Sequence, residues 1–307
     1  MRIGTRRSAL ALTQARLISD LLGGCELVPM LTSGDQLQGS EDHGHEAGAL
    51  DKSRWVSELE SALASGEIDL AVHSAKDVPG ELADGLALHG APARAPAEDV
   101  LCGAHGLDQL KLGARVGTSS IRRLAQLRAT REDLDVVALR GNVDTRLRKL
   151  GEPQEGLDAI VLAHAGLQRL GREDDVGGAL DTTRFVPAPG QGVLALEGRS
   201  DDHDTRAAVA AITDKSTLAC LLAERALARA LDASCHTPLG AYATPADGNC
   251  LLLRAWVGLP DGSAWISDEL LGGFENPEAL GQRVAARLLA AGAGDLLRRA
   301  EEMATAH

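Results

Sequence analysis

The stretch IDLAVHSAKDVP, residues 68–79, decides the fold. Ile68, Leu70 and Val72 alternate with Asp69 and Ala71 in the two-residue period of a short strand, and Val78-Pro79 stops any helix. His73 to Asp77 is therefore expected on the loop leaving the strand's carboxyl end, which is where open α/β sheets place ligands. Lys76 beside Asp77 gives that loop one cation and one carboxylate. Such a pair suits an anionic substrate that must also gain, lose or develop positive charge. On its own the dipeptide reads first as a solvated pair in an ordinary turn. The rest of the chain changes that reading.

The same pattern of strand, loop and helix recurs outward from this stretch. Arg2 to Thr5 reads as a strand end, and Ser8 as the N-cap of a helix with Leu10, Leu17, Ile18 and Leu21 on one face, closed by Gly23-Gly24. The Gly4–Ser8 loop thus lies over a helix N-terminus, a ready anion site with Arg6, Arg7 and the Ser8 hydroxyl, although a plain cap with surface arginines fits as well. Leu27 to Leu31 is a second strand, followed by some twenty aperiodic residues, 32–53, that read as a lid or a disordered segment. His43 and His45 within it lack a third metal ligand. A helix from Arg54 to Ala64 then leads into the opening stretch. Beyond a Pro and Ala connector at 91–96, Arg115-Val116-Gly117-Thr118 echoes Arg2-Ile3-Gly4-Thr5 and again opens through serines into a helix, here carrying Arg122 and Arg123. Two similar halves are expected. Leu134–Leu139 and Ala159–Ala163 are further strands of the second half, and Val193–Leu196 reads as a strand returning to the first sheet.

A chain of 307 residues is too long for one core and implies two or three domains of about 100 residues each. Its hydrophobic content of 44% is ample for burial, and its six aromatics mean that Leu, Val, Ala and Ile build the cores. The net charge of -13 argues against a nucleic-acid or anionic-membrane partner. Against that acidic background, Arg6, Arg122, Arg123, Arg140, Arg146 and Arg169 all fall just after a strand or in the first turns of the next helix. Guanidinium groups grip carboxylate or phosphate in bidentate fashion, so a ligand with several separate acidic groups is expected. No GxxxxGK[ST] is present, and Gly190-Gln191-Gly192 lacks the strand-to-helix context of a dinucleotide fingerprint. The five cysteines are widely spaced without a CxxC, which suggests neither a disulfide framework nor a zinc site, and there is no signal-like apolar start. A reducing cytoplasm fits. Cys102, Cys220 and Cys250 sit in apolar stretches as core fillers, whereas Cys235 lies on a loop past the helix Lys215–Asp232. Leu251–Val257 and Ala264–Leu271 read as a hairpin and Pro277–Met303 as a helix, completing a small α+β third domain.

The segments RIGTRRSALALTQ, AVHSAKDVP, VGTSSIRRLAQL, RGNVDTRLRKL, AGLQRLG, PGQGVLALE and CHTPLG, in this order and spacing from Arg2 to Gly240, resemble the porphobilinogen deaminase (hydroxymethylbilane synthase) family. The resemblance implies an α/β enzyme with two doubly wound lobes like type 2 periplasmic binding proteins and a small α+β C-terminal domain. The lobes would span residues 1–92 with 191–212 and residues 93–190, and the third domain residues 213–307. It implies a transferase that condenses four porphobilinogen molecules, with release of four ammonia, into hydroxymethylbilane, as a cytoplasmic monomer of tetrapyrrole biosynthesis. Its dipyrromethane cofactor would be joined to Cys235 by a thioether.

By motif position, Asp77 would be catalytic. Lys76, Ser74, Thr118, Ser119, Ser120, Arg122, Arg123 and Arg146 would hold the cofactor. Arg6, Ser8, Gln14, Arg140, Arg146, Arg169 and Gln191 would bind substrate or growing chain. Each added ring brings an acetate and a propionate, which agrees with the arginine count. Residues 49–55 replace the lysine- and glycine-rich segment of many members, keeping Lys52 and Trp55 as cation and aromatic of the lid. The alternative from another class is a cytosolic two-lobed binding protein for a polycarboxylate metabolite. Asp77 and Cys235 discriminate, since a pure binder of carboxylates gains nothing from an anion in its site or a thiol above it.

Overall fold

The computed structural model describes residues 1–31, 56–233 and 237–305. It divides into two compact units, Met1–Ala95 with Val193–Leu221, and Pro96–Gly192 with Leu222–His307.

The first unit is a five-stranded sheet with helices on both faces. Strands β1 (Arg2–Arg6), β2 (Glu26–Met30) and β3 (Leu70–Ser74) are mutually parallel, with β1 central among the three. As the apolar run 193–196 predicts, β10 (Leu194–Arg199) returns and lies antiparallel between β3 and β4 (Leu86–Gly90), giving the order β2-β1-β3-β10-β4. One face buries Ile3, Leu70, Val72, Leu194 and Leu196 against Ala15 and Ile18 of α1 (Ala9–Leu21) and Val209 of α6 (His203–Ile212). The other packs Ile68 and Ala71 on Leu59, Ala62 and Leu63 of α2 (Ser57–Ala64). Ser8 caps α1 as expected, its hydroxyl accepting the Ala11 N–H at 3.3 Å.

The second unit repeats this plan. Parallel strands β6 (Arg115–Gly117), β7 (Asp135–Val137) and β8 (Ala159–Ala163) stand where β1, β2 and β3 stand in the first. Antiparallel β5 (Asp99–Cys102) and short β9 (Gly178–Ala179) complete the order β7-β6-β8-β5-β9. The repeated Arg-x-Gly-Thr motif has a steric cause. A Cβ on Gly4 would collide with Ile68 Cδ1, and one on Gly117 would lie 2.9 Å from Leu139 Cδ2. Helix α3 (Ile121–Thr130) covers one face through Leu127, while α4 (Val143–Leu150) and α5 (His164–Arg169) cover the other through Leu147 and Leu167.

Helix α7 (Lys215–Ala230) begins in the first unit and ends in the second. An antiparallel sheet of β11 (Leu239–Ala246), β12 (Cys250–Gly258) and β13 (Trp265–Gly273) follows, with helices α8 (Pro277–Ala290) and α9 (Ala293–Thr305). It groups with the second lobe in one unit, where Trp256 packs with Ala125 and Val186.

Three expectations need correction, and two strands were not foreseen. His73 and Ser74 are not on a loop but are the last residues of β3, and Ala75–Asp77 is a 3-10 turn. Pairing with β10 prolongs the strand beyond its apolar alternation. The helix expected over 277–303 is broken, because Gly292 adopts φ +101° and ends the first segment. Cys250 is half-exposed rather than core, its Sγ 3.5 Å from the Gly248 carbonyl at a hairpin start, while Cys102 and Cys220 are buried. Strands β5 and β11 carry no period strong enough to announce them.

Candidate active site

Apart from the PGQG turn, which precedes antiparallel β10, the motifs of the two lobes lie at the carboxyl end of a parallel strand or in the helix that follows. In the first lobe, β1 delivers half-buried Arg6 and the capping Ser8, and adjacent β3 delivers Ser74, Lys76 and Asp77, the last two half-buried. Two predicted site residues join directly: Gln14 Nε2 donates to Ser74 Oγ at 3.0 Å, tying α1 to the end of β3. The turn holding Asp77 is pinned at its start, where Ala75 N–H donates to the Val193 carbonyl at 3.0 Å.

In the second lobe, Thr118 is buried and its hydroxyl accepts the Ser120 N–H at 3.2 Å, Ser119 is exposed, and Ser120 caps α3. Arg122 and Arg123 do not point outward. Both are buried and turn onto Asp99 of β5, a residue the sequence reading missed. Arg122 Nη2 meets Asp99 Oδ2 at 2.7 Å, and Arg123 donates to Oδ1 through Nε at 3.0 Å and Nη2 at 2.7 Å. Burial alone would raise this carboxyl, but the two guanidinium charges and their hydrogen bonds outweigh it and hold it at about 2. Arg122 is pushed down, since burial and the neighbouring Arg123 exceed its gain from Asp99.

Gln191 is also buried, and its amide donates to Asp99 Oδ1 at 2.9 Å and to the Ala97 carbonyl at 2.7 Å. The turn carrying it acts as a junction. Gly190 N–H donates to buried Glu224 of α7 at 2.6 Å, and the Gly192 carbonyl accepts Arg169 Nη2 at 2.7 Å. Both glycines have positive φ, +74° and +84°, so a side chain at either would strain the turn. The PGQG run held this signal: two glycines around one amide mark a turn that needs positive φ on either side of it.

Arg146 and Arg169 differ from Arg122 and Arg123. Arg146 donates from Nε to the Gly141 carbonyl at 2.7 Å, and neither Arg146 nor Arg169 has a carboxylate partner among the described residues. Burial pushes both guanidiniums down to about 10, with the nearby Arg123 charge adding to the effect at Arg146. Arg140 is exposed. The second lobe therefore holds, in the helices that follow β7 and β8, two half-buried cations without a carboxylate partner among the described residues. Such a site fits a ligand that brings several carboxylates. Lys52, Trp55 and Cys235 lie outside the described residues, as do His43 and His45.

Residues 1–207 match the family model "Porphobilinogen deaminase, dipyromethane cofactor binding domain", and residues 218–290 match the model of the porphobilinogen deaminase C-terminal domain. The chain belongs to the porphobilinogen deaminase family. Curated porphobilinogen deaminases from Brevibacillus brevis and Stenotrophomonas maltophilia are similar to it, at 43% identity covering 96% of both chains and at 45% covering 97% of this chain and 98% of the other. One from Syntrophus aciditrophicus is 42% identical over 98% of this chain and 99% of its own length. Members of this family are hydroxymethylbilane synthases, which are transferases. Among the described residues, no helix is long and apolar enough to cross a membrane.

Proposed function

We propose that this chain is a cytoplasmic hydroxymethylbilane synthase. It deaminates porphobilinogen and joins four units head to tail on a covalent dipyrromethane, for tetrapyrrole biosynthesis. The observation that carries the reading, within the family, is the pair of half-buried guanidiniums of Arg146 and Arg169 without carboxylate partners among the described residues. A polycarboxylate chain would restore their charge balance, and each added unit brings two carboxylates.

Arg122, Arg123, Arg146, Ser119, Ser120, Ser74, Thr118 and Lys76 would hold the dipyrromethane carboxylates, and Cys235 would carry the thioether. When bound, that group supplies the free pyrrole α-carbon to which the first unit is joined. Arg122 and Arg123 share a single carboxylate, Asp99, so their site keeps a net positive charge for an anionic ring. Arg6, Ser8, Gln14, Arg140, Arg169 and Gln191 are assigned to substrate and growing chain.

Asp77 is assigned the chemistry. As the aminomethyl C–N bond of porphobilinogen breaks and ammonia leaves, positive charge develops toward the pyrrole N–H, and a fixed carboxylate there stabilises it. After the new C–C bond forms, the joined ring must lose a proton from carbon, and Asp77 serves that step too. Three domains, at residues 1–92 with 191–212, 93–190 and 213–307, belong to this reading.

The test is turnover of porphobilinogen by the purified chain, with ammonia and linear tetrapyrrole measured together. Four ammonia per tetrapyrrole is the expected result. Tight binding of polycarboxylates without ammonia release would favour the binding-protein alternative and overturn the enzyme.

A further inference from the structure

A buried acid and a buried imidazole meet behind the Asp77 turn. His73 is the fourth residue of β3 and Glu197 the fourth of β10, and these strands pair with Ala195 opposite His73 and Glu197 opposite Ala71. Alternation puts both side chains on one face of the sheet. His73 Nε2 lies 2.9 Å from Glu197 Oε2, with 4% and 0% of the side chains exposed. The approach is nevertheless outside hydrogen-bond geometry, and among the described residues neither Glu197 oxygen nor His73 Nε2 has a hydrogen-bond partner. A fully buried carboxyl in that condition is costly and calls for a reason.

The second lobe shows that the fold does not require it. Ile3 pairs with Leu70 and Gly4 with Ala71, as Val116 pairs with Ala159 and Gly117 with Ile160. By this register His73 corresponds to Leu162 and Glu197 to Cys102, which is paired with Ile160 as Glu197 is with Ala71. Leu162 and Cys102 are buried and apolar. The same two positions are thus filled by aliphatic and thiol side chains in the lobe that lacks an acidic turn, and by an imidazole and a carboxyl in the lobe that carries Lys76 and Asp77.

The surroundings link the pair to that turn. β3 runs from His73 straight into Ala75–Asp77, and Val193, just before β10, holds the turn through its carbonyl. From α2, Glu60 accepts the Ala83 N–H at 3.2 Å, tethering the segment after the turn. Burial pushes the Glu60 carboxyl up, the Ala83 bond opposes this, and the charges of Glu197 and His73 both reach it. His89 of β4 feels Glu197 from the far side of β10.

We propose that His73 and Glu197 are a positioning pair that fixes the Lys76-Asp77 turn against β10, so that the Asp77 carboxylate is aimed at the charge developing on substrate. The proposal rests on the catalytic assignment of Asp77. Substrate binding is left to the arginines, so the pair acts on kcat and not on KM.

The experiment transplants the second lobe's residues into the first, as His73→Leu with Glu197→Cys, beside Glu197→Gln alone. Replacing both members of a buried polar pair by apolar groups is often neutral or stabilising, so the double variant is expected to fold with an unchanged or higher Tm. Its kcat should fall about tenfold or more with KM within about twofold, and Glu197→Gln, which keeps the shape and an acceptor, should retain more. A folded double variant with wild-type kcat would reduce the pair to packing and overturn the proposal. Should the double variant not fold, Glu197→Gln decides in the same way: a fall in kcat at constant KM supports the proposal and an unchanged kcat overturns it. A third arm adds Glu197→Gln to Asp77→Asn and reads single turnovers. No further loss is expected, and an independent further loss overturns action through Asp77. Wild-type turnover in Asp77→Asn alone would instead remove the catalytic assignment on which the proposal rests.

Discussion

Asp99 Oδ1 accepts two hydrogen bonds from Arg123, at 3.0 and 2.7 Å, although the residues stand on different elements and 24 positions apart. With Arg122 on its other oxygen and Gln191 beside it, this carboxylate anchors helix α3 and the 189–192 turn at once. Arg122, Arg123 and Gln191 are therefore arranged around a buried anion that belongs to the protein.

Asp99→Asn leaves two buried guanidiniums facing one neutral amide. Breaking a buried pair in this way costs about 3 to 5 kcal/mol, to be read from the denaturant midpoint. The native carboxyl titrates at about 2, below its ordinary 3.8, so its contribution is present above 3.8 and is lost as pH falls from there through about 2. Acid unfolding of the wild type should show that loss, of about 2 kcal/mol, and Asp99→Asn should not.

Arg146→Leu and Arg169→Leu should separate stability from activity. Each removes a half-buried cation without a carboxylate partner among the described residues, so Tm should hold or rise. Loss of a charge-assisted partner for substrate carboxylate should lower kcat/KM by about 2 to 5 kcal/mol, with lysine recovering part of it. Wild-type kinetics in both would refute the binding assignment.

Thiol chemistry should distinguish the cysteines. Burial first, and Asp175 second, push the Cys102 thiol up to about 11, so it should resist alkylating reagents in the native protein. By intact mass, Cys235→Ser should lose a two-pyrrole adduct that Cys102→Ser keeps. An unmodified mass in active wild-type protein would exclude the attachment.

Asp77→Asn keeps the shape of the turn and removes its charge. It should fold normally and lose at least about a hundredfold in kcat, the scale of a general acid-base or electrostatic group, with Asp77→Glu retaining more. Turnover within a few-fold of wild type would move the catalytic role elsewhere.

What this chain's residues settled by themselves is what depends on neighbours in sequence. The alternation at 68–72, the Ser8 and Ser120 caps and the echo of Arg2–Thr5 in Arg115–Thr118 are short-range patterns, and they placed the parallel strands, the helices after them and the loops that carry the site. The seven ordered motifs added the family. Tertiary structure decided what depends on partners far along the chain. Arg122 and Arg123 read only as two cations after a strand, and the fold alone shows that both also close on Asp99 of a strand whose period is too short to see. Gln191 reads as a loop amide, yet it is buried on the same carboxylate, 92 residues away. His73 reads as a loop residue until β10 pairs beside it and brings Glu197 within 2.9 Å. A guanidinium or an amide satisfies its hydrogen bonds with whatever the fold places within about 3 Å, an imidazole meets whichever side chain the sheet sets beside it, and only the folded chain determines which residue that is.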